Sequence, residues 1–191
     1  DLRTGVDFHT RRTPFSGGSG TLVAGLLTPA EARGFAIVTA AIGLAIGIHF
    51  YTRVGWPMLP LMALGALAVV GYTDALTRIG LGEVFAGLGL GALPVWGTGL
   101  VQGGWPGATV LAASVPAFFM TFNLLLLNEF PDVAADRIGK RRHLIILFGR
   151  RVAALIYAAA ALAVPVAVAV AVALRALPPL SLLAALPSLL L

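Results

Sequence analysis

The chain has 191 residues, of which 59% are apolar and only 11% are charged, whereas a soluble domain carries about 25% charged residues. A chain of this length has too little interior to hide so much apolar surface from water. The composition therefore excludes a soluble domain, a disordered tail and a nucleic-acid-binding module, although the net charge is +5. We predict an integral membrane protein whose main partner is the lipid bilayer.

A helix needs about 20 mostly apolar residues to cross the hydrocarbon core of a bilayer. In chain order, five segments meet this requirement and a sixth begins in the same way, at residues 34–51, 56–73, 80–101, 107–127, 152–174 and 177–191. Strands of a membrane barrel would alternate polar and apolar residues, and these segments do not. The sequence predicts an all-α, polytopic transmembrane bundle with about six spans. Since the chain starts without Met and ends in an apolar run, we expect residues 1–191 to be one incomplete transmembrane domain.

The connections between these spans differ sharply in charge. One side of the membrane receives residues 1–33, 74–79 and 128–151, which hold eleven of the thirteen basic residues. The positive-inside rule makes this side cytoplasmic. All eight acidic residues also lie at this face, with Glu83 just inside the end of a span. A purely structural membrane protein does not require acidic and basic residues at the same face. Their occurrence together indicates a polar functional site there.

Two acidic clusters lie at this face. The first contains Asp1 and Asp7, and the second contains Asp132 and Asp136. Four crossings separate the clusters, an even number, so the two can face each other on the same side. Asp132 and Asp136 are four residues apart, hence on one helix face with Cβ atoms about 5–6 Å apart. Such carboxylates repel unless a cation lies between them, and Mg²⁺ is a cation that binds oxygen ligands while leaving room for phosphate oxygens.

Basic residues follow the second cluster directly. Lys140 and Arg141 lie one helical turn beyond Asp136 and can take the remaining charge of a phosphate group. Carboxylates that hold a metal next to cations indicate a diphosphate site. Asp132 and Asp136 are also compatible with a solvated helix start, and the basic residues after them with anchoring at the membrane surface.

Other polar residues carry weaker signals. The three histidines, His9, His49 and His143, share no metal-ligand spacing, and we assign them structural roles. Asn123, near the end of a span, either points into a cavity or hydrogen-bonds a neighbouring helix. The absence of cysteine excludes disulfides, thiolate metal sites and a cysteine nucleophile.

The second cluster carries a specific resemblance. Residues 128–141 read Asn-Glu-x-x-Asp-x-x-x-Asp-Arg-x-Gly-Lys-Arg, which resembles the second aspartate-rich motif of the UbiA superfamily of membrane prenyltransferases. Asp1 and Asp7 resemble the tail of the first motif of that superfamily, whose opening residues would lie before residue 1. The stretches at residues 72–73, 80–83, 93–98 and 101–102 further resemble its dihydroxynaphthoate prenyltransferase branch.

The resemblance implies a fold and a reaction. The superfamily has nine transmembrane helices around a central cavity, and this chain would run from the end of the second helix into the eighth. A polyprenyl diphosphate would be held through Mg²⁺, and its prenyl group would be transferred to an aromatic acceptor, which in this branch is 1,4-dihydroxy-2-naphthoate of menaquinone biosynthesis. The expected location is a bacterial or archaeal plasma membrane.

The resemblance also implies roles for individual residues. The catalytic carboxylates would be Asp1, Asp7, Asp132 and Asp136, and three of them, Asp1, Asp132 and Asp136, would hold the metal. The residues expected to bind substrate are Tyr72, Arg78, Asn128, Lys140 and Arg141.

Three alternative functions are compatible with the sequence. A relative in the superfamily can use another acceptor, such as hydroxybenzoate, homogentisate, haem or a glycerol lipid. A transporter would place its charges near the middle of the bilayer, whereas the interiors of these spans are almost free of charge. A structural membrane subunit explains the hydropathy but leaves the facing acidic clusters unexplained. The sequence specifies neither the prenyl chain length nor the oligomeric state.

Overall fold

The computed structural model describes residues 5–10, 12, 17–103 and 107–190, without the side chains of 188–190. Every regular element in this part of the chain is helical, which confirms the all-α prediction. The α-helices are α1 (Val6–His9), α2 (Pro29–Val54), α3 (Met58–Val70), α4 (Gly82–Ala86), α5 (Leu93–Gly103), α6 (Ala108–Ile138) and α7 (Leu144–Ala173). A π-helical segment, Gly87–Ala92, joins α4 to α5, and 3-10 helices cover Leu76–Arg78 and Pro179–Leu190.

Among the described residues, four helical stretches are long and apolar enough to cross a membrane. They are Pro29–Val54, Gly82–Gly103, Ala108–Ile138 and Leu144–Ala173. The predicted span at 56–73 forms only the 13-residue α3, and the predicted span at 177–191 forms a 3-10 helix. The described residues therefore contain four helices of membrane length, where the sequence predicts about six spans, and α3 is a further, shorter apolar helix. In the last segment Pro187 has no N–H to donate, so an α-helix cannot continue through it without losing a hydrogen bond.

The long helices leave apolar side chains uncovered. Along α2 only Gly47 is buried, while Phe35 is 76% exposed and Ile42 is 55% exposed. Water would penalise an apolar surface of this extent, whereas lipid tails solvate it. The exposed faces therefore agree with the membrane location that the composition predicts.

The charged end of α2 is built by a capping box. Thr28 Oγ1 accepts a hydrogen bond from Glu31 N at 3.3 Å, and Glu31 Oε2 accepts one from Thr28 N at 2.8 Å. Pro29 occupies the first helical position, where its missing N–H costs nothing. Glu31, one of the eight acidic residues at the charged face, therefore has a local structural role in starting α2.

The best-packed part of the bundle lies between α6 and α7. Phe122 and Leu126 of α6 are buried against Ile145, Ala153 and Ala160, which belong to α7. Helix α6 does not stop at the predicted end of its span but continues through Pro131 to Ile138. Residues 128–138, which we expected to form a connection outside the span, therefore lie on the span helix itself.

The π-helical segment packs unusually closely on α6. A Cβ atom added at Gly87 would lie 2.6 Å from Phe118 Cε2, and one added at Gly91 would collide with the Ala117 carbonyl oxygen. Only glycine therefore allows this approach of the two backbones, which is a common use of small residues between membrane helices. The contact fixes α4, and with it Glu83, against α6.

This close contact predicts a difference between two glycine substitutions. Gly91→Ala is expected to lower the free energy of unfolding by about 1–3 kcal/mol, because the new methyl group overpacks the contact with α6. Gly97→Ala on α5 is the control: nothing lies within 4 Å of the added methyl group. It is expected to raise stability by up to about 1 kcal/mol through helix propensity. Unfolding in mixed detergent micelles measures both, and equal stabilities of the two variants would contradict the close approach.

Candidate functional site

Acidic and basic side chains gather at one end of the bundle, where α4 begins, α6 ends and α7 begins. Helix α6 carries Glu129, Asp132 and Asp136, whose spacing of three and four residues places them on one face. The turn at residues 139–143 follows, and Arg142 N donates a hydrogen bond to Thr77 O at 2.8 Å. This bond holds the turn against the segment that connects α3 to α4. We call this end the polar end.

Asp136 is paired with Arg141 at the polar end. Arg141 Nη1 donates to Asp136 Oδ1 at 3.1 Å, and the Arg141 amide donates to the Asp136 carbonyl oxygen at 2.9 Å. The Asp136 side chain is only 2% exposed, so this pair is largely withdrawn from water. Arg141 is thereby brought beside Asp136, and its role in binding a diphosphate stays a prediction.

The position of Lys140 and Arg141 relative to α6 needs correction. They were expected one helical turn beyond Asp136, but α6 ends at Ile138 and both residues lie in the following turn. Lys140 adopts a φ of +57°, in the left-handed region, and its side chain is exposed. Because the backbone reverses direction at Lys140, the Arg141 side chain contacts Asp136, while the Lys140 side chain is exposed. Its role in substrate binding stays a prediction.

Asp132 fits the role of a magnesium ligand. Its Oδ1 atom is buried and has no hydrogen-bond partner within the described part of the chain. A buried carboxylate oxygen without a donor is costly, and a hard divalent cation is a suitable partner for it. Asp136 fits the same role less directly, because its Oδ1 accepts from Arg141. The oxygen donors of this pair therefore suit Mg²⁺.

The first acidic cluster is described only in part. Asp1 lies outside the described residues, so its predicted roles stay predictions. Asp7 is half-buried on α1, and α1 packs against α6, the helix that carries the second cluster. Val6 beside it is only 4% exposed, which ties α1 to the bundle. The structure thus brings the described part of the first cluster to the helix of the second.

A cavity of about 500 Å³ lies between α3, the α4–π segment and α6. Its lining is mostly apolar, and Tyr72 and Asn128 are among the few polar residues in it. Asn128 is one helical turn before Asp132, so the cavity adjoins the polar end. Burial, and next the nearby Glu129, raises the pKa of Tyr72 to about 12, so its phenol stays protonated at neutral pH and can donate a hydrogen bond.

Arg78 and Asn123, two further polar residues considered in the sequence analysis, both make contacts within the chain. Arg78 is exposed, and its guanidinium group lies 3.8 Å from Asp74 Oδ1. Its role in substrate binding stays a prediction. Asn123 Nδ2 donates to the Tyr157 carbonyl oxygen at 3.1 Å, and the residue also lines a cavity between α6 and α7, so both alternatives for this residue are realised.

Sequence reasoning missed three buried residues of the polar end. Glu83 is 1% exposed and His143 is 4% exposed, and both lie close to Glu129. Glu83 Oε1 accepts a hydrogen bond from Leu144 N at 2.7 Å, which satisfies an N–H group at the start of α7. His143 Nδ1 lies 3.8 Å from Glu129 Oε2, and Nε2 lies 3.5 Å from Asp136 Oδ2. The spacing of the histidines predicts only a structural role for His143 and does not indicate these carboxylate neighbours.

Signals for two of these three residues are present in the sequence. Glu83 is an ionisable residue within a span, which is a rare and costly placement. Glu129 is seven residues before Asp136 and so shares its helix face. Nothing local marks His143, because its burial depends on the turn that precedes α7. Burial, and next the neighbouring Arg141, lowers the pKa of His143 to about 4, so its imidazole is neutral at pH 7.

The fold and the site together define an integral membrane protein with a polar, acid-rich site that adjoins an apolar cavity. The sequence profile of the UbiA prenyltransferase family matches residues 7–191, and the chain belongs to this family. The protein is therefore a prenyltransferase, and the family indicates transfer of a polyprenyl group to an aromatic acceptor. No curated protein and no solved structure matches the chain.

Proposed function

We propose that the protein transfers a polyprenyl group from polyprenyl diphosphate to 1,4-dihydroxy-2-naphthoate, in a Mg²⁺-dependent step of menaquinone biosynthesis. The observation that supports this most directly is the order of residues along one helix. Asn128 lines the 500 Å³ cavity, and Asp132 and Asp136 follow it by one and two turns. A donor with an apolar tail and a charged head matches a cavity of this kind.

The charged head of the donor would lie at the polar end. Asp132 and Asp136 would hold Mg²⁺, together with Asp1 of the first cluster. When bound, the ion neutralises the diphosphate oxygens and favours their departure. Arg141, already beside Asp136, supplies a fixed positive charge for the diphosphate, and Lys140 supplies a second, mobile one.

The reaction exchanges one bond for another. The allylic C–O bond breaks and its electron pair leaves with the diphosphate, and the allylic cation is captured by a ring carbon of the acceptor. A new C–C bond forms, and the carboxyl group on that carbon leaves as CO₂, which restores the aromatic ring. The Tyr72 ring lines the cavity and can stabilise the cation through its π face. The apolar lining keeps water from the cation.

The orientation in the membrane follows from charge. In the sequence, eleven of the thirteen basic residues fall in the three segments predicted on the same side of the spans as Asp132 and Asp136. We therefore place this end on the cytoplasmic side of a bacterial or archaeal plasma membrane. Diphosphate donors made in the cytoplasm would then reach the site without crossing the bilayer. We further propose that residues 1–191 belong to one transmembrane domain.

A transfer assay tests the proposed function. The protein is supplied in membranes with a radiolabelled polyprenyl diphosphate and a panel of aromatic acids, and we expect prenylated naphthoate and release of CO₂. Chelation with EDTA is expected to abolish transfer, and Mg²⁺ alone is expected to restore it. Transfer that persists in EDTA would contradict the metal dependence. Transfer to hydroxybenzoate but not to naphthoate would overturn the acceptor while leaving the reaction class intact.

A further inference from the structure

We propose that Glu83, Glu129 and His143 form a second metal site, separate from the diphosphate site, that binds a transition metal ion such as Zn²⁺. The ion would join α4, α6 and the start of α7 at the polar end. This proposal does not depend on the proposed acceptor or on transfer activity.

The three side chains come from separate elements and converge on one point. Glu83 lies on α4, Glu129 on α6, and His143 immediately before α7. One ligand atom from each lies within 4.8 Å of the others. Ligands at 2.0–2.2 Å around a tetrahedral ion are separated by about 3.4 Å. Side-chain movements of about 1 Å would therefore bring the three atoms to coordinating distance.

Apart from a hydrogen bond that Glu83 and Glu129 can share when one of them is protonated, the ligand atoms have no partner among the described residues. Glu83 Oε2, Glu129 Oε2 and both ring nitrogens of His143 are buried without a hydrogen-bond partner among the residues that the structure describes. Glu83 Oε1 already accepts from Leu144 N, which fixes the carboxylate and leaves Oε2 directed elsewhere. Each unpaired polar atom carries a desolvation cost when buried, and the cost is greater for a carboxylate. A divalent cation satisfies one atom of each residue at once.

The donor set distinguishes this site from the Mg²⁺ site. Mg²⁺ prefers oxygen ligands and keeps several waters, which suits Asp132 beside a diphosphate. An imidazole with two carboxylates in a dry interior favours zinc and its neighbours in the first transition row. The presence of His143 is therefore the chemical reason to expect a different ion at this point.

Asp136 supplies the outer contact that such histidines use. His143 Nε2 lies 3.5 Å from Asp136 Oδ2, while Nδ1 faces Glu129. A histidine that binds metal through one nitrogen commonly donates its other N–H to a carboxylate, which sets the ring orientation. Loss of such a contact weakens metal binding by about 10–100-fold. Asp136 would then serve the diphosphate site on one side and orient His143 on the other.

Cobalt substitution tests the site without an activity readout. The protein in lipid nanodiscs is stripped with EDTA and titrated with Co²⁺ in an excess of Mg²⁺. We expect about one equivalent bound per chain, with the visible ligand-field spectrum of a four- or five-coordinate nitrogen and oxygen site, and displacement by Zn²⁺. His143→Gln and Glu83→Gln are expected to abolish the spectrum. Asp136→Asn is expected to weaken binding by about 10–100-fold.

Matched controls separate this site from general losses. His49→Gln and Glu31→Gln change an exposed histidine and an exposed glutamate and are expected to keep the spectrum; glutamine still supports the capping box at position 31. Asp132→Asn removes the proposed Mg²⁺ ligand and is also expected to keep it. Loss of the spectrum in Asp132→Asn would assign the ion to the diphosphate site and overturn the proposal.

The unaltered protein decides the question even if the variants fail to fold. If it binds no Co²⁺ in the presence of excess Mg²⁺, the proposal is wrong, and Glu83 and Glu129 are best explained as carboxyl groups that share a proton. If His143→Gln folds and binds Co²⁺ with unchanged spectrum and affinity, the histidine is not a ligand and the proposal is equally wrong.

Discussion

Asp132→Asn is expected to lower the rate of prenyl transfer by about 10²–10³-fold, because a metal that neutralises a leaving diphosphate supplies several kcal/mol of transition-state stabilisation. Asparagine keeps the shape of the side chain but removes the charge from the buried oxygen that has no other partner within the described residues. The substitution therefore removes the proposed function of Asp132 with little effect on packing.

The measurement is the transfer rate at saturating polyprenyl diphosphate over a range of Mg²⁺ concentrations. We expect a lower maximal rate and a higher Mg²⁺ requirement for Asp132→Asn. Glu31→Gln, which removes a carboxylate at the start of α2 and retains the capping box, is expected to leave both quantities unchanged. A rate for Asp132→Asn close to that of the unaltered protein would exclude Asp132 as a metal ligand for catalysis.

Arg141→Met is expected to lower the free energy of unfolding by about 3–5 kcal/mol, the usual cost of removing one partner of a buried ion pair. Methionine fills a similar volume, but it leaves Asp136, 2% exposed, without the guanidinium group that lies 3.1 Å away. Transfer activity is expected to fall as well, since Arg141 is proposed to hold the diphosphate. The two effects have different causes and can be separated.

The double variant Asp136→Asn/Arg141→Met makes this separation. It removes both charges, so it is expected to be more stable than Arg141→Met alone while remaining inactive. Unfolding in mixed micelles gives the stabilities. Arg142→Met is the control, because the Arg142 side chain is exposed and only its backbone N–H is bonded; its effect is expected within about 0.5 kcal/mol. Equal destabilisation by Arg141→Met and Arg142→Met would contradict a special role for the Asp136 pair.

The helices were largely predictable. An apolar segment within lipid must hydrogen-bond its own backbone N–H and C=O groups, and a single segment does so by forming a helix. The exact ends were not predictable. Pro131 within the acidic motif suggests a break, yet α6 passes through it. Phe130 and Val133 on either side of Pro131 pack against the core shared with α7, and this tertiary packing outweighs the local hydrogen bond that proline removes.

The candidate site was likewise predictable only in part. The spacing of Asp132 and Asp136 was sufficient to place both on one helix face, since that depends only on helical geometry. The return of Arg141 onto Asp136 requires the left-handed backbone of Lys140, which spacing does not reveal. The contact between Glu83 and Leu144 N joins residues 61 positions apart, so it depends on how α4 and α7 are packed.

That contact has a consequence for how the protein is assembled. The amide of Leu144, at the start of α7, is satisfied by a carboxylate that enters the membrane with α4, two long helices earlier in the chain. Membrane helices form individually and then associate, so this amide gains its partner only when α4 and α7 have docked. The polar end is therefore completed late in biogenesis, and a chain with α7 undocked leaves Glu83 without the amide that binds its Oε1 atom.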